Sequence, residues 1–303
     1  MTGVITTGSA AKLLWPGLNA IWGREYTEHP LQCNDLFDTF TSTMAYEEDV
    51  EMTGFGLAPI KAEGASVTFG GEQQGTTARY THVAYGYGYI VTREEIDDNL
   101  YEARGTQRAQ ALAFSFRQTK ENVAANVYNR AFNSAYPGGD GVELLSTAHP
   151  TLDGTQSNEL AVAADLSEAS LEDLCIQIEN AKNSKGLRIS LKPQSLHVAP
   201  ANMFNAERIL KSTLRSGTEN NDINALKAMN AFPQGIKVNN YFTDPDAFFV
   251  RTNTPNGMKM FSRTAAEFTD DSDFATSNLQ YKGYERYSFG WTDFRALYGS
   301  PGA

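Results

Sequence analysis

Cysteine is nearly absent: Cys33 and Cys175 are the only two in 303 residues. That excludes a disulfide framework and any CxxC metal site, and a reducing compartment fits. Histidine is equally sparse. His29, His82, His149 and His197 stand in no HExxH or other ligand spacing, so no metal and no cofactor is expected. No GxSxG elbow and no GxxxxGK[ST] loop occurs, which leaves an α/β-hydrolase or a P-loop ATPase without support. No apolar run approaches the length of a membrane span, and the N-terminus has no basic stretch followed by an apolar core, so neither a membrane anchor nor a signal peptide is expected. Positive charge is short as well, with 25 Lys and Arg against 36 Asp and Glu. Tight sequence-independent binding of nucleic acid needs cations to neutralise phosphates, and this balance does not supply them.

What is present is a globular composition, 41% hydrophobic and 20% charged, in a chain long enough for one large or two medium domains. Residues 106–132 contain no Pro or Gly. Ala109, Leu112, Phe116, Val123, Val127 and Ala131 recur at helical spacing and mark one apolar face of a long helix. Arg117 and Glu121 are four apart and are expected to pair on its surface. Gly105 precedes this helix, and the cluster Pro137-Gly138-Gly139-Asp140-Gly141 follows it.

Before the helix, residues 1–11 read as a small, polar lead, flexible or ordered only by a partner. The apolar stretch from Lys12 to Trp22 reads as non-helical because Pro16 and Gly17 interrupt it. Trp15 and Trp22 need a surface to cover them, this chain's own or a neighbour's. Residues 31–50 read as extended or irregular. Glycines then punctuate 53–91, and Ser66-Val67-Thr68-Phe69 with Ala78-Arg79-Tyr80-Thr81-His82-Val83 predict a polar two-stranded hairpin whose tip is Gly70–Gly75. Such a ribbon is marginal alone and needs docking. Tyr85-Gly86-Tyr87-Gly88-Tyr89 predicts a strand with three Tyr on one face, suited to packing on a helix or a neighbour, or less well to stacking nucleic-acid bases. Thr92-Arg93-Glu94-Glu95 is a capping-box start for a short helix.

After the long helix, Ser167 or Ser170 caps a helix whose apolar face is Leu171, Leu174, Cys175 and Ile178. Strands are expected at Ser195–Val198, Gly235–Val238, Ala247–Val250 and Gly257–Phe261, with a helix from Met203 to Leu214 and an exposed loop over 216–225. Alternating aromatics over Leu279–Tyr298 end the chain. The acidic runs Glu47-Glu48-Asp49 and Asp270-Asp271-Ser272-Asp273 read as solvated surface. No catalytic constellation emerges. A hydrolase using His149 or His197 with a nearby acid would need groups that nothing in the sequence brings together.

The segment Leu145-Ser146-Thr147-Ala148-His149-Pro150 with Asp153-Gly154, and the ending Tyr287-Ser288-Phe289-Gly290-Trp291-Thr292-Asp293-Phe294-Arg295-Ala296-Leu297-Tyr298-Gly299-Ser300, carry a resemblance. Taken in order with the arm, hairpin and long helix, they make the chain similar to tailed-bacteriophage major capsid proteins of the Hong Kong 97 type, and within these to the Mu-like major head subunits. The resemblance implies an α+β capsid fold. An N-terminal arm would span 1–52, an E-loop hairpin 53–91, a peripheral domain with the spine helix 92–189, an axial domain 190–275, and strands returning to the peripheral domain 276–303.

It further implies a structural protein, not an enzyme. Hexamers and pentamers of it would close into an icosahedral head around double-stranded DNA, without sequence-specific binding and without a membrane. Assembly would take place in the bacterial host cytoplasm, with a portal and with scaffolding or decoration proteins as further partners. Scaffolding, where needed, would come from a separate protein or a fragment already removed. Trp15, Trp22, Lys61, Phe69, Glu72, Arg79 and Tyr80 are the residues expected to touch neighbouring subunits. Lys61 is the only Lys in the hairpin region and no Asn or Glu partner is identifiable, so covalent cross-linking is not expected. An encapsulin-like cellular shell enclosing protein cargo is the alternative.

Overall fold

The computed structural model describes residues 7–28, 30–98, 101–214, 222–255 and 257–303, with side chains left out at 7–16 and 101–104. In chain order the elements are α1 (Thr7–Thr27), α2 (Cys33–Leu36), β1 (Asp38–Thr41), β2 (Tyr46–Met52), β3 (Gln74–Thr81), β4 (Val83–Val91), α3 (Arg93–Asp97) and α4 (Tyr101–Asn129). There follow β5 (His149–Thr151), β6 (Gly154–Gln156), α5 (Glu168–Glu179), β7 (Pro193–Val198), α6 (Met203–Lys211), α7 (Ala225–Ala228) and β8 (Ile236–Val238). The chain closes with β9 (Phe248–Thr252), β10 (Met258–Ser272), β11 (Leu279–Trp291) and β12 (Leu297–Ser300).

Two four-stranded sheets organise the molecule. The first has the order β1-β10-β11-β4, with β1 parallel to β10 and the other pairs antiparallel. The second has the order β12-β9-β7-β8. Strands β2 and β3 form a separate antiparallel ribbon. The long helix α4, roughly 43 Å at 1.5 Å per residue, lies across one face of the first sheet and serves two cores. Its N-terminal half gives Ala109, Leu112, Ala113 and Phe116 to a cluster with Leu18 and Trp22 of α1 and with Phe268 and Tyr281 of the sheet. Its C-terminal half gives Ala124, Ala125 and Tyr128 to a cluster with Leu36, Phe249, Met260 and Tyr287. A third core joins α5 to the second sheet through Leu171, Leu174, Ile178, Leu196 and Val250. Gly283 lets α4 approach the first sheet, since a Cβ there would stand 2.5 Å from the Phe116 ring.

Several expectations need correction. Helix α1 runs unbroken through Pro16 and Gly17. Pro16 removes one N–H bond to the carbonyl four residues back, and burial of Leu18 and Trp22 against α4 outweighs that loss. The lead over 1–11 is part helix from Thr7, and residues 1–6 lie outside the described residues. Helix α4 begins before Gly105 and includes it, at a cost of about 1 kcal/mol, and it ends at Asn129 instead of Phe132. Its last turn tightens where Ala131 N donates to Tyr128 O. Glu121 is not a surface partner of Arg117. Its buried carboxylate accepts from Gln32 N at 2.6 Å and Cys33 N at 2.9 Å, satisfying the opening N–H groups of α2.

Residues 31–50, read as extended or irregular, are extended in β1 and most of β2 but also hold the short helix α2. Ser66–Phe69 is not a strand, and the ribbon is instead Tyr46–Met52 paired with Gln74–Thr81. The turn at Gly64, which has φ 76°, replaces the tip expected at 70–75. Helix α6 stops at Lys211. Of the loop expected at 216–225, residues 216–221 lie outside the described residues, and Asn224 caps α7 by accepting from Lys227 N. The strand expected at Gly257–Phe261 extends to Ser272 and pairs within the first sheet, while Leu297–Ser300 belongs to the second. The two sheets therefore do not part at residue 275. At the α5 start both serines act, Ser167 accepting from Ser170 N and Ser170 Oγ accepting from Ser167 N. Thr92 caps α3 as expected, accepting from Glu95 N.

Candidate assembly surfaces

The ribbon of β2 and β3 is fastened to the body by polar contacts. Along β2 the residues Glu47, Asp49 and Glu51 alternate onto one face, because successive side chains of a strand point to opposite sides. Each meets a partner. Glu47 accepts from Ser42 Oγ at 2.5 Å. Asp49 Oδ2 lies 2.5 Å from Lys259 Nζ and 2.8 Å from Thr292 Oγ1. Glu51 Oε1 accepts from Ser184 Oγ at 2.5 Å and stands 3.6 Å from Arg295 Nη1. The Arg295 guanidinium also holds Asp293 at 3.0 Å and donates from Nε to Lys182 O at 2.8 Å. Two of the three acids in the run read as solvated, Glu47 and Asp49, are thus held in place. Their signal was the spacing of acids by two within a strand, facing basic residues distant in sequence.

Between the two strands, residues 53–73 form a loop whose neck is closed by Thr53, which exchanges bonds with Gln73 at 2.9–3.1 Å. Lys185 Nζ donates to Gly71 O at 2.8 Å. Beyond that neck the loop has no partner strand, and Phe55, Leu57, Ile60, Val67 and Phe69 are all exposed, Phe69 at 92%. A run of large apolar side chains left in water along one segment marks an interaction surface.

The seven residues expected to touch neighbours divide into three groups. Lys61, Phe69 and Glu72 are exposed on this loop. Arg79 is exposed on β3, 3.8 Å from Glu48 and over the Tyr46 ring. Trp22 and Tyr80 are buried by the chain itself. Trp22 stacks on Tyr26 and Phe268 at centroid distances of 5.3 and 5.7 Å, and Tyr80 bonds Thr292 Oγ1 at 2.6 Å over Gly290. The side chain of Trp15 lies outside the described residues.

The tyrosines of β4 pack as the helix-facing reading expects: Tyr85 stacks on Tyr287 and Tyr89 on Tyr281, with Tyr87 exposed. At one end of this face sits a buried polar cluster. Glu285 Oε2 accepts from Tyr26 Oη at 3.0 Å and lies 3.7 Å from Lys120 Nζ. Burial holds the Glu285 carboxyl above the ordinary carboxylate range, against the pull of Lys120. Burial, helped by the Glu121 charge, pushes the Cys33 thiol up to about 12, and burial pushes Cys175 to about 11.

The three described histidines are held in buried polar contacts. His82 bridges Ser288 Oγ and Ser42 Oγ at 3.0 and 3.1 Å. His149 is fully buried between Asp140 at 2.6 Å and Asn158 at 3.0 Å, stacked on Phe294. His197 Nε2 meets Ser195 Oγ at 2.8 Å, the contact a nucleophile and base would make. Both residues are sealed from solvent, however, His197 Nδ1 has no orienting acid, and burial with the nearby Arg251 and Lys237 charges lowers His197 to about 3. His29 lies outside the described residues. Among the described residues no group of three or more His, Cys, Asp or Glu side chains could hold a metal, and no helix is long and apolar enough to cross a membrane.

A family model for phage capsid proteins matches residues 75–300. No curated protein matches the sequence. Among solved structures the chain is similar to a virus-like particle from Pyrococcus furiosus, with a TM-score of 0.55 at 12% identity over 94% of this chain and 98% of that one. It is also similar to a chain of Mycobacterium phage Patience, with a TM-score of 0.53 at 12% identity over 93% and 87%. The capsid of an empty GTA particle gives a TM-score of 0.51 at 9% identity over 89% of each chain. At such identities the likeness is one of fold, and the fold is the α+β capsid fold.

Proposed function

We propose, for a chain that belongs to the phage capsid protein family, that it is the major head subunit, forming hexamers and pentamers that close an icosahedral shell around double-stranded DNA. As a member of that family it is a capsid shell protein and not an enzyme. The observation that best supports the finer reading is the loop over 53–73. It exposes five large apolar side chains on a clamped ribbon, a form suited to lying over a neighbouring subunit.

In this reading the arm, E-loop and axial and peripheral regions take the roles that the resemblance implies. A portal, and scaffolding or decoration proteins, complete assembly in the bacterial host before the subunit becomes part of the virion. The acidic balance of the chain suits a container that encloses DNA without gripping it everywhere.

The fold shared with the Pyrococcus furiosus virus-like particle is also compatible with the second reading that the resemblance left open, a cellular shell that encloses protein cargo. Negative-stain electron microscopy of the purified chain, with solution mass, tests assembly. Closed particles or capsomer rings are expected, and a monomer that stays monomeric with its neighbouring gene products present would refute the proposal. Nucleic acid inside particles recovered from the producing cell favours the head, and protein cargo favours the cellular shell.

A further inference from the structure

Two orphans of strand chemistry stand apart in this molecule. The first is β4. It is the edge of the first sheet, nine residues long and free of Pro, and it is paired only with β11. No described backbone group outside β11 bonds to it. A long, unprotected edge presents alternate N–H and C=O groups as a template for another strand. The second is Ser66-Val67-Thr68-Phe69. Its β-branched and aromatic residues favour a strand, yet it pairs with no described strand of its own chain, and Val67 and Phe69 are exposed.

The side chains of these two segments are complementary. On the sheet face away from α4, Gly86 and Gly88 stand opposite Tyr284 and Lys282, with Glu267 beyond, around a trough of about 690 Å³. Gly88 cannot carry a side chain, since a Cβ would come 2.4 Å from Tyr281 O. In a strand laid along β4, Val67 and Phe69 share one face, and an aromatic ring over edge glycines covers the backbone they leave bare.

The loop cannot reach its own β4. Strand β3 leads into β4 with one residue between them, and Tyr80 near its end lies over Gly290, beyond the Tyr287–Val83 pair. Its eight residues span about 26 Å. Phe69 lies beyond the far end, on a tether of at most about 18 Å, and Gly71 is held there by Lys185.

We infer that Ser66–Phe69 of one copy adds as a fifth strand to the β4 edge of a second copy, with Phe69 seated over Gly86 and Gly88. This rests on the self-assembly proposed above and names the surface that receives the loop. The test uses particles assembled from a mixture of isotopically labelled and unlabelled full chains, with Phe69 replaced by a benzoylphenylalanine photo-crosslinker. Light should join it to peptides within 84–91 or 267–284 of the other isotope. In unmodified particles the amides of 84–90 that point away from β11 should exchange about tenfold more slowly, or slower still, than in the free subunit. The Val67→Asp, Phe69→Asp double variant, altered only at exposed positions, should lose that slowing. Particles whose cross-links fall elsewhere, or whose β4 amides exchange as fast as in the free subunit, overturn this inference and leave the capsid reading standing. A chain that forms no oligomer under any condition overturns both.

Discussion

Gly283→Ala is a sharp probe of how α4 is set on the first sheet. The added Cβ would lie 2.5 Å from Phe116 Cε2 and 2.9 Å from Cζ, far inside van der Waals contact. Phe116 is buried among Leu112, Trp22 and Tyr281 and has little room to retreat. Overpacking of this kind costs about 1–3 kcal/mol. Replacing Gly by Ala within a strand would otherwise return about 0.5–1 kcal/mol. The net expectation is a loss of about 1–2 kcal/mol, lowering Tm by about 2–3 °C at this chain length. Thermal unfolding of the unassembled subunit measures it. Phe116→Leu trims the ring and costs stability alone through the space it leaves. The double variant should be less destabilised than the sum of the two, because the clash is gone. A Gly283→Ala protein as stable as wild type or more so, or simple additivity in the cycle, would refute the idea that close approach at residue 283 positions the helix.

Two further outcomes follow from the buried groups. Burial raises the folded-state pKa of Glu285, so its contribution is fully present below the ordinary carboxylate range and is lost as pH rises through the raised value. Tm measured against pH should therefore fall over that window in wild type and be flatter in Glu285→Gln; equal slopes would show that Glu285 does not carry the effect. With thiols pushed up to about 12 and about 11 by burial, neither Cys33 nor Cys175 should react with a disulfide reagent at neutral pH in the native subunit, and both should react in denaturant; rapid native labelling of Cys33 would contradict its packing.

The long helix, the cap at Thr92, a serine cap at 167 or 170 and the short strands of the second sheet were legible in the sequence. Each is a local property: periodicity, a hydroxyl before an apolar run, a β-branched stretch. The order of these elements along the chain carried the resemblance to capsid subunits.

Pairing was not legible. Ser66–Phe69 has the chemistry of a strand, but β3 found β2 across a long loop, leaving that segment alone. Helix α1 passes Pro16 because Trp22 gains more from α4 than one hydrogen bond loses. Glu121 and Glu51, ordinary surface acids by their neighbours in sequence, are drawn into the interior by the α2 backbone and by Ser184 and Arg295. Sequence by itself determined which segments could be helix or strand. Tertiary structure alone decided which strands meet, which charges are buried, and which edge and which apolar loop remain unpaired, because those depend on contacts between residues far apart in the chain, whose free energy no local pattern contains.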